Sequence, residues 1–446
     1  MRIRKQLTNV QVIACGFLLL ILAGTALLCL PAATRSGQPA AFGDALFTAT
    51  SASCVTGLVV QDTGLYWSPF GQAVILLLIQ VGGMGFITIS TLLLLLFRRR
   101  IGIRNRERMI ESINTADTGS ILPLTRKIFV GTAAIELTGA VVLSLRFIPL
   151  FGVAKGLWFG MFHAVSAFCN AGFDLMGPVS GSYSSFTAMA DDPLLVLTLS
   201  ALITLGGLGY WVWEDLWRKR LHWRRYRLQT KLVLAVSLLL TVGGTGLFWL
   251  LERRSLVGMP AGEQVLRALF NAVTPRTAGF STTDAAALSD GGKLLTVIYM
   301  FIGGSPGSTA GGIKTTTVAV LLLYTLAEMR HSRSAAIFGR RIDPEYHRRA
   351  AVIAANNLGL ALGASLLLCL LQPAVPLADC LVETFSAIGT VGMSTGITRQ
   401  LGALSRALLI FLMYCGRVGS LSFSLALFEK RSRPPVTQPT ETLIIG

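Results

Sequence analysis

The stretch Phe47-Thr48-Ala49-Thr50, with Val55-Thr56-Gly57-Leu58 just beyond it, decides the fold, because it lies between two apolar runs and is itself too short to cross a bilayer. It also recurs. Copies stand at Phe162-His163-Ala164-Val165 before Asn170-Ala171-Gly172-Phe173, at Phe270-Asn271-Ala272-Val273 before Thr277-Ala278-Gly279-Phe280, and at Phe385-Ser386-Ala387-Ile388 before Thr390-Val391-Gly392-Met393. The glycines are 115, 107 and 113 residues apart, so one repeating unit occupies nearly the whole chain.

Outward from each copy the order is the same: an apolar span, the short F-x-A segment with its glycine, and a second apolar span. The chain is 52% hydrophobic and 14% charged over 446 residues, more apolar surface than a soluble core needs. Runs such as 10–30, 73–97, 194–213, 232–251 and 352–371 are long enough to cross a hydrocarbon layer of ~30 Å. The net charge of +17 is concentrated in a few places. Segments 98–127, 214–231 and 328–349 hold eight, seven and six Lys/Arg, and each terminus adds three. Positive-inside bias puts these loops and both termini in the cytoplasm, and the basic loops need no nucleic acid to explain them. The short segments are then re-entrant half-helices entering from outside. The expected architecture is an all-α integral membrane protein of four M1-P-M2 pore-loop repeats around one pseudo-fourfold cation pore, with eight full spans. Its repeats cover 7–97, 127–217, 228–329 and 349–429, followed by a cytoplasmic tail, 430–446.

Irregular backbone at membrane depth survives only where protein buries it or a water-filled cavity bathes it. Four half-helices around an axis aim the negative ends of their dipoles at the centre, where a partly dehydrated cation is stabilised. The following loops can turn carbonyl oxygens inward, and glycine permits the backbone shapes and close approach this requires. The candidate filter is Val55, Thr56 and Gly57, Asn170, Ala171 and Gly172, Thr277, Ala278 and Gly279, and Thr390, Val391 and Gly392. No Asp or Glu lies between any F-x-A segment and its glycine. Carbonyl coordination without an acid ring favours a weakly hydrated monovalent ion, potassium first.

The second spans carry glycines at matching depth: Gly82-Gly83-Met84-Gly85, Gly206-Gly207-Leu208-Gly209, and Gly416-Arg417-Val418-Gly419. In the third unit the apolar run breaks at Gly303, Gly304, Ser305, Pro306, Gly307, Ser308, Thr309, Ala310, Gly311 and Gly312. Five glycines and a proline in ten residues preclude a regular helix, and a broken helix in mid-membrane marks a transport pathway. This loop is the candidate gate below the filter. Arg417, charged inside an apolar span, is expected beside it, bonding to loop carbonyls and raising the barrier to cations. Lys314 is expected to snorkel at the cytoplasmic exit. Gly307, Gly312 and Lys314 nearly match a phosphate loop, but Ile313 is inserted and no strand precedes, so no nucleotide site is expected on this chain. Glu136 and Arg146 share one span, and His163 reads as a packed, hydrogen-bonded residue.

A membrane enzyme would need intramembrane acids, histidines or a metal set. The chain has four histidines and scattered cysteines without metal-ligand spacing, so no enzymatic activity is expected. A sodium-coupled secondary transporter of inverted repeats is the alternative, but all four units enter the membrane the same way round.

Five motifs resemble the Trk/Ktr/HKT superfamily of potassium transporters, and more narrowly its KtrB-type membrane subunit. They are Thr50-Ser51-Ala52-Ser53-Cys54-Val55-Thr56-Gly57-Leu58, Phe168-Cys169-Asn170-Ala171-Gly172-Phe173, Thr277-Ala278-Gly279-Phe280, Gly303 through Thr315, and Gly416-Arg417-Val418-Gly419. The resemblance implies that Gly57, Gly172, Gly279 and Gly392 are the filter glycines, that 303–312 is an intramembrane gating loop, and that Arg417 is its basic partner. It further implies potassium, with sodium as a second ion or stimulant, a homodimer in the bacterial inner membrane, and a cytoplasmic nucleotide-binding RCK-type (KtrA-like) ring that carries the ATP/ADP response. Glycine at 57, where sodium-selective plant members carry serine, favours a potassium pathway.

Overall fold

A computed structural model of the protein describes residues 9–85, 121–220, 222–332 and 334–419. Most of the first basic loop, both basic termini, the far ends of the first and fourth repeats and the tail 430–446 lie outside the described residues. Apart from one antiparallel pair, Ala336–Ile337 against Arg340–Arg341, the described regular structure is helical.

Unit 1 comprises α1 (Asn9–Leu28), α2 (Phe42–Ser53) and α3 (Pro69–Met84). Unit 2 comprises α4 (Ile121–Phe151), α5 (Val153–Phe168), α6 (Pro193–Leu208) and α7 (Tyr210–Lys219). Unit 3 comprises α8 (Leu228–Leu251), α9 (Ala261–Val273), α10 (Asp290–Phe301) and α11 (Thr315–Met329), and unit 4 comprises α12 (Pro344–Leu371), α13 (Leu377–Gly389) and α14 (Ala403–Val418).

The outer helices α1, α4, α8 and α12 are long and apolar enough to cross a membrane, with mean hydropathy from 1.8 to 2.3. Only 28% to 39% of their spanning windows is buried within the protein. The exposed remainder is apolar, as at Leu18, Leu19, Leu137, Leu145, Leu238, Leu239, Leu366 and Leu370. Such a surface belongs in lipid.

Three inner helices begin with side-chain caps. Ser68 accepts from Gly71 N at 3.2 Å, Asp192 from Leu194 N at 3.0 Å, and Ser289 from Gly292 N at 3.0 Å. Pro69 and Pro193 occupy the first helical position behind their caps, where proline costs no hydrogen bond.

The inner helices end early. α3 stops before Gly85 (φ +83), α6 before Gly209 (φ +91) and α14 before Gly419 (φ +95), and these left-handed glycines terminate a helix. The single run 194–213 expected as one span is therefore two helices, α6 and α7, meeting at 95°. Hydropathy continues unbroken through Gly209, but its backbone does not.

Each inner helix packs on the short helix of the next unit: α3 on α5, α6 on α9, α10 on α13, and α14 on α2. The fourth contact returns to the first unit, so the four units close into a ring. The short helices are buried at its centre, with Phe47, Phe162 and Phe270 at 0% exposure.

Candidate functional site

At the centre of the ring α2, α5, α9 and α13 end, and the chain turns back at Gly57 (φ +94), Gly172 (φ +68), Gly279 (φ +81) and Gly392 (φ +93). A Cβ on Gly172 would stand 2.5 Å from the Ala278 carbonyl oxygen. One on Gly57 would strike Ala171 O, one on Gly279 would strike Val391 O, and one on Gly392 would strike Thr56 O. The clashes run from unit 1 to 2, 2 to 3, 3 to 4 and back to 1. Added Cβ atoms would also lie 2.8 to 3.2 Å from the next glycine's Cα. Backbone this tight, at positive φ, strains any residue with a Cβ and favours glycine. The groups that crowd the ring are carbonyl oxygens of neutral residues, chemistry suited to a weakly hydrated cation.

The residues two before the glycines, Val55, Asn170 and Thr390, are themselves left-handed (φ +57, +58 and +51), whereas Thr277 is extended (φ +161). The third loop differs because it is one residue shorter, counted from a hydroxyl that every unit supplies. That hydroxyl, on Ser51, Ser166, Thr274 and Ser386, is the element the F-x-A pattern missed. The carbonyls of Ser51, Ser166 and Ser386 accept from Thr56 N, Ala171 N and Val391 N at 2.8, 2.8 and 2.9 Å. The hydroxyls of Ser51 and Ser386 accept from Gly57 N and Gly392 N, each at 3.0 Å. Those of Ser166 and Thr274 donate to Phe173 O at 2.7 Å and Phe280 O at 2.6 Å. Counted this way, Phe385 is not the partner of Phe47. It stands seven residues before its glycine instead of ten, and Val382 takes the Phe47 position.

Against the candidate filter, the 303–312 segment forms a loop closed at its neck. Gly303 N donates to Ile313 O at 2.9 Å, Thr315 N to Gly304 O at 3.0 Å, and the Ser305 and Thr315 hydroxyls pair at 3.0 Å. The loop seats on the end of α6: Ser305 N donates to Gly207 O at 2.9 Å, Thr309 N to Gly206 O at 3.3 Å, and Tyr210 N returns a bond to Gly307 O at 2.9 Å. These are the carbonyls a terminated helix leaves without partners. Pro306 O lies where a Cβ on Gly209 would be, at 2.6 Å.

Arg417, half-buried near the end of α14, donates to Thr309 O at 2.5 Å, to Gly83 O at 3.1 Å and to Gly82 O. One guanidinium thus joins the loop to the last carbonyls of α3. Lys314 does not snorkel to an exit: its Nζ folds back on its own loop, donating to Ala310 O at 2.7 Å and Gly311 O at 3.4 Å. Carbonyls crowded by tight turns attract the nearest ammonium more strongly than the alternative path to water does.

Other singled-out residues surround this centre. His163 receives Leu175 N on Nε2 at 3.0 Å, so its Nδ1 is the protonated nitrogen and donates to Phe159 O at 2.7 Å. It is a neutral strut between the pore helix and the loop beyond the filter. Glu136 accepts from Gln80 Nε2 at 2.9 Å and from Cys169 Sγ at 3.7 Å, directly behind the second filter loop. Arg146 pairs with Asp192, the residue that caps the start of α6.

Residues 8–433 match the model of the TrkH family, described as cation transport proteins. The chain belongs to the TrkH family. Along its full length it is 40% identical to the potassium/sodium uptake protein NtpJ of Enterococcus hirae, covering 99% of that protein. It is 36% identical to the Ktr system potassium uptake protein B of Bacillus subtilis, over 98% of this chain and 97% of the relative. The crystal structure of the potassium transporter TrkH from Vibrio parahaemolyticus superposes with a TM-score of 0.74 at 16% identity, over 96% of this chain and 87% of that one, a likeness of fold. TrkH-family proteins are ion transporters of the Trk/Ktr kind, so the enzyme reading is excluded. The chain is a membrane transporter.

Proposed function

We propose that this TrkH-family chain carries potassium across the bacterial inner membrane through the ring of Gly57, Gly172, Gly279 and Gly392, with the 303–312 loop as the gate and Arg417 and Lys314 holding it closed. The observation that carries the reading is the cyclic approach of four positive-φ glycines, each against the next unit's carbonyl, with no Asp or Glu between the F-x-A segments and these glycines. Beneath that ring lies a loop that no regular helix could replace. Its hydrogen bonds end on Gly206 and Gly207, and Arg417 reaches it at Thr309 O.

Potassium is favoured over divalent ions because neutral carbonyls repay little of a divalent ion's dehydration cost. The name of NtpJ, a potassium/sodium uptake protein, supports sodium as a second ion or stimulant. The basic cytoplasmic loops would dock a homodimer onto an RCK-type regulatory ring, which would bind the nucleotide.

The test is uptake of potassium, rubidium and sodium by cells lacking their own potassium uptake, expressing the chain alone, with a KtrA-type partner, or as Gly57→Asp. Partner-enhanced potassium and rubidium uptake, lost or de-selected in Gly57→Asp, is the expected result. Unchanged ion preference in that variant would overturn the filter reading, and sodium-driven potassium accumulation independent of the filter would favour a coupled carrier.

A further inference from the structure

The filter and the gate loop are in direct contact through side chains. Thr309 is held from four sides. Its carbonyl accepts from Arg417 at 2.5 Å, its N–H donates to Gly206 O at 3.3 Å, its hydroxyl donates to Phe168 O at 3.0 Å, and that hydroxyl accepts from Asn170 Nδ2 at 2.9 Å. Donor and acceptor roles are fixed by the partners. Asn170 Nδ2 also approaches Phe168 O at 3.4 Å, and a carbonyl can only accept, so the amide's NH2 end faces the loop.

Asn170 is itself a filter residue, 1% exposed and held at φ +58, a conformation that costs a side-chain-bearing residue energy. Its other end, Oδ1, is buried without a protein partner. On the opposite side of the ring the loop touches the filter again. A Cβ on Gly311 would meet Cβ and Cγ2 of Thr390, each at 3.0 Å, and would strike its hydroxyl, which is also buried without a protein partner. The loop therefore spans the inner end of the filter from unit 2 to unit 4, touching the first filter residue of each.

We propose that the Asn170–Thr309 hydrogen bond makes ion preference depend on the gate. Asn170 and Thr309 are positioning residues: the seated loop holds the inner end of the filter in its selective shape, and a loop that leaves its seat releases Asn170 and with it a strained turn. Loop position then controls discrimination between potassium and sodium as well as flux. By linkage, ions that fit the filter favour the seated loop by the same factor. This rests on the filter reading above, and the test separates the two.

Purified protein, without a partner, is assayed for flux in liposomes and for its potassium-to-sodium ratio of apparent affinities, read from each ion's effect on the melting temperature, as wild type, Thr309→Val, Thr309→Ser, Asn170→Ala, the Thr309→Val/Asn170→Ala double variant and Gly172→Ser. One lost neutral hydrogen bond corresponds to a roughly two- to ten-fold fall in the potassium-to-sodium ratio. Thr309→Val and Asn170→Ala are expected to show that fall to the same extent, the double variant to fall no further, and Thr309→Ser to stay at the wild-type ratio.

If Thr309→Val raises flux at the wild-type ratio while Gly172→Ser shifts that ratio, the loop acts as a gate alone and the coupling is overturned. Additive effects in the double variant overturn it equally. If Gly172→Ser leaves the ratio unchanged, the filter reading itself falls.

Discussion

Replacing Arg417 by glutamine tests the gate most directly. Arg417 donates to Thr309 O at 2.5 Å on the loop, and to Gly83 O at 3.1 Å and Gly82 O on α3. Only the first bond must break when the loop leaves its seat, because the other two lie within the wall. A hydrogen bond from a charged donor contributes about 1.5–3 kcal/mol. Its loss lowers the closed-to-open ratio by about 10- to 150-fold at about 1.4 kcal/mol per decade. Removing a fixed positive charge beside the path also lowers the barrier to a cation. Rubidium uptake by liposomes containing Arg417→Gln should rise at least several-fold in maximal rate, up to the ceiling set by a fully open loop. Arg417→Lys should lie between, since an ammonium cannot span the fork that joins Thr309 to α3. A maximal rate at or below wild type, in protein whose melting temperature is unchanged, would refute the idea that Arg417 holds a barrier in place.

Gly172→Ala places a methyl 2.5 Å from Ala278 O at positive φ and should abolish potassium uptake while the protein still reaches the membrane, as checked by uptake and surface labelling. Gly209→Ala meets Pro306 O at 2.6 Å, so the loop loses its seat and rubidium flux should rise. Ser51→Ala removes the acceptor for Gly57 N at 3.0 Å; the unpaired amide costs about 1–3 kcal/mol, and the potassium-to-sodium ratio should fall. Lys314→Met frees the Ala310 and Gly311 carbonyls and should raise flux less than Arg417→Gln, because it removes bonds within the loop and leaves those to the wall.

The glycines were legible because their conformation strains every other residue. Gly57, Gly172, Gly279 and Gly392 all sit at φ between +68 and +94 against a neighbour's backbone, so the requirement is written directly in residue type. The hydroxyls of Ser51, Ser166, Thr274 and Ser386 were not, since small polar residues abound in these segments and only the fold shows which one reaches the filter. Phe385 misled for the opposite reason: a bulky residue can fill the same buried space from one turn further along the helix. The bend at Gly209 was hidden because Tyr210, Trp211 and Val212 continue the apolar run across it. Hydropathy records what a segment contacts and carries no record of its direction. Lys314 was misplaced because sequence gives the side chain's length but not where its acceptors lie.

On the proposed reading, the broken inner helices explain why the gate lies where it does. Each break leaves carbonyls without intrahelical partners inside the protein, where an unpaired acceptor is costly. At α3 Gly85 N and Arg417 share Gly82 O and Arg417 also reaches Gly83 O; at α6 the partner is the 303–312 loop itself, through Ser305 N on Gly207 O and Thr309 N on Gly206 O. On the proposed reading the loop is both the obstacle in the path and the cap on the wall. Moving it strips the cap from Gly206 and Gly207 and breaks the return bond from Tyr210 N to Gly307 O. At about 1–3 kcal/mol for each unpaired group, that cost can be met only if water enters as the loop leaves. Opening and hydration are then one event, and a hydrated cavity below the filter is what a cation needs in order to reach it.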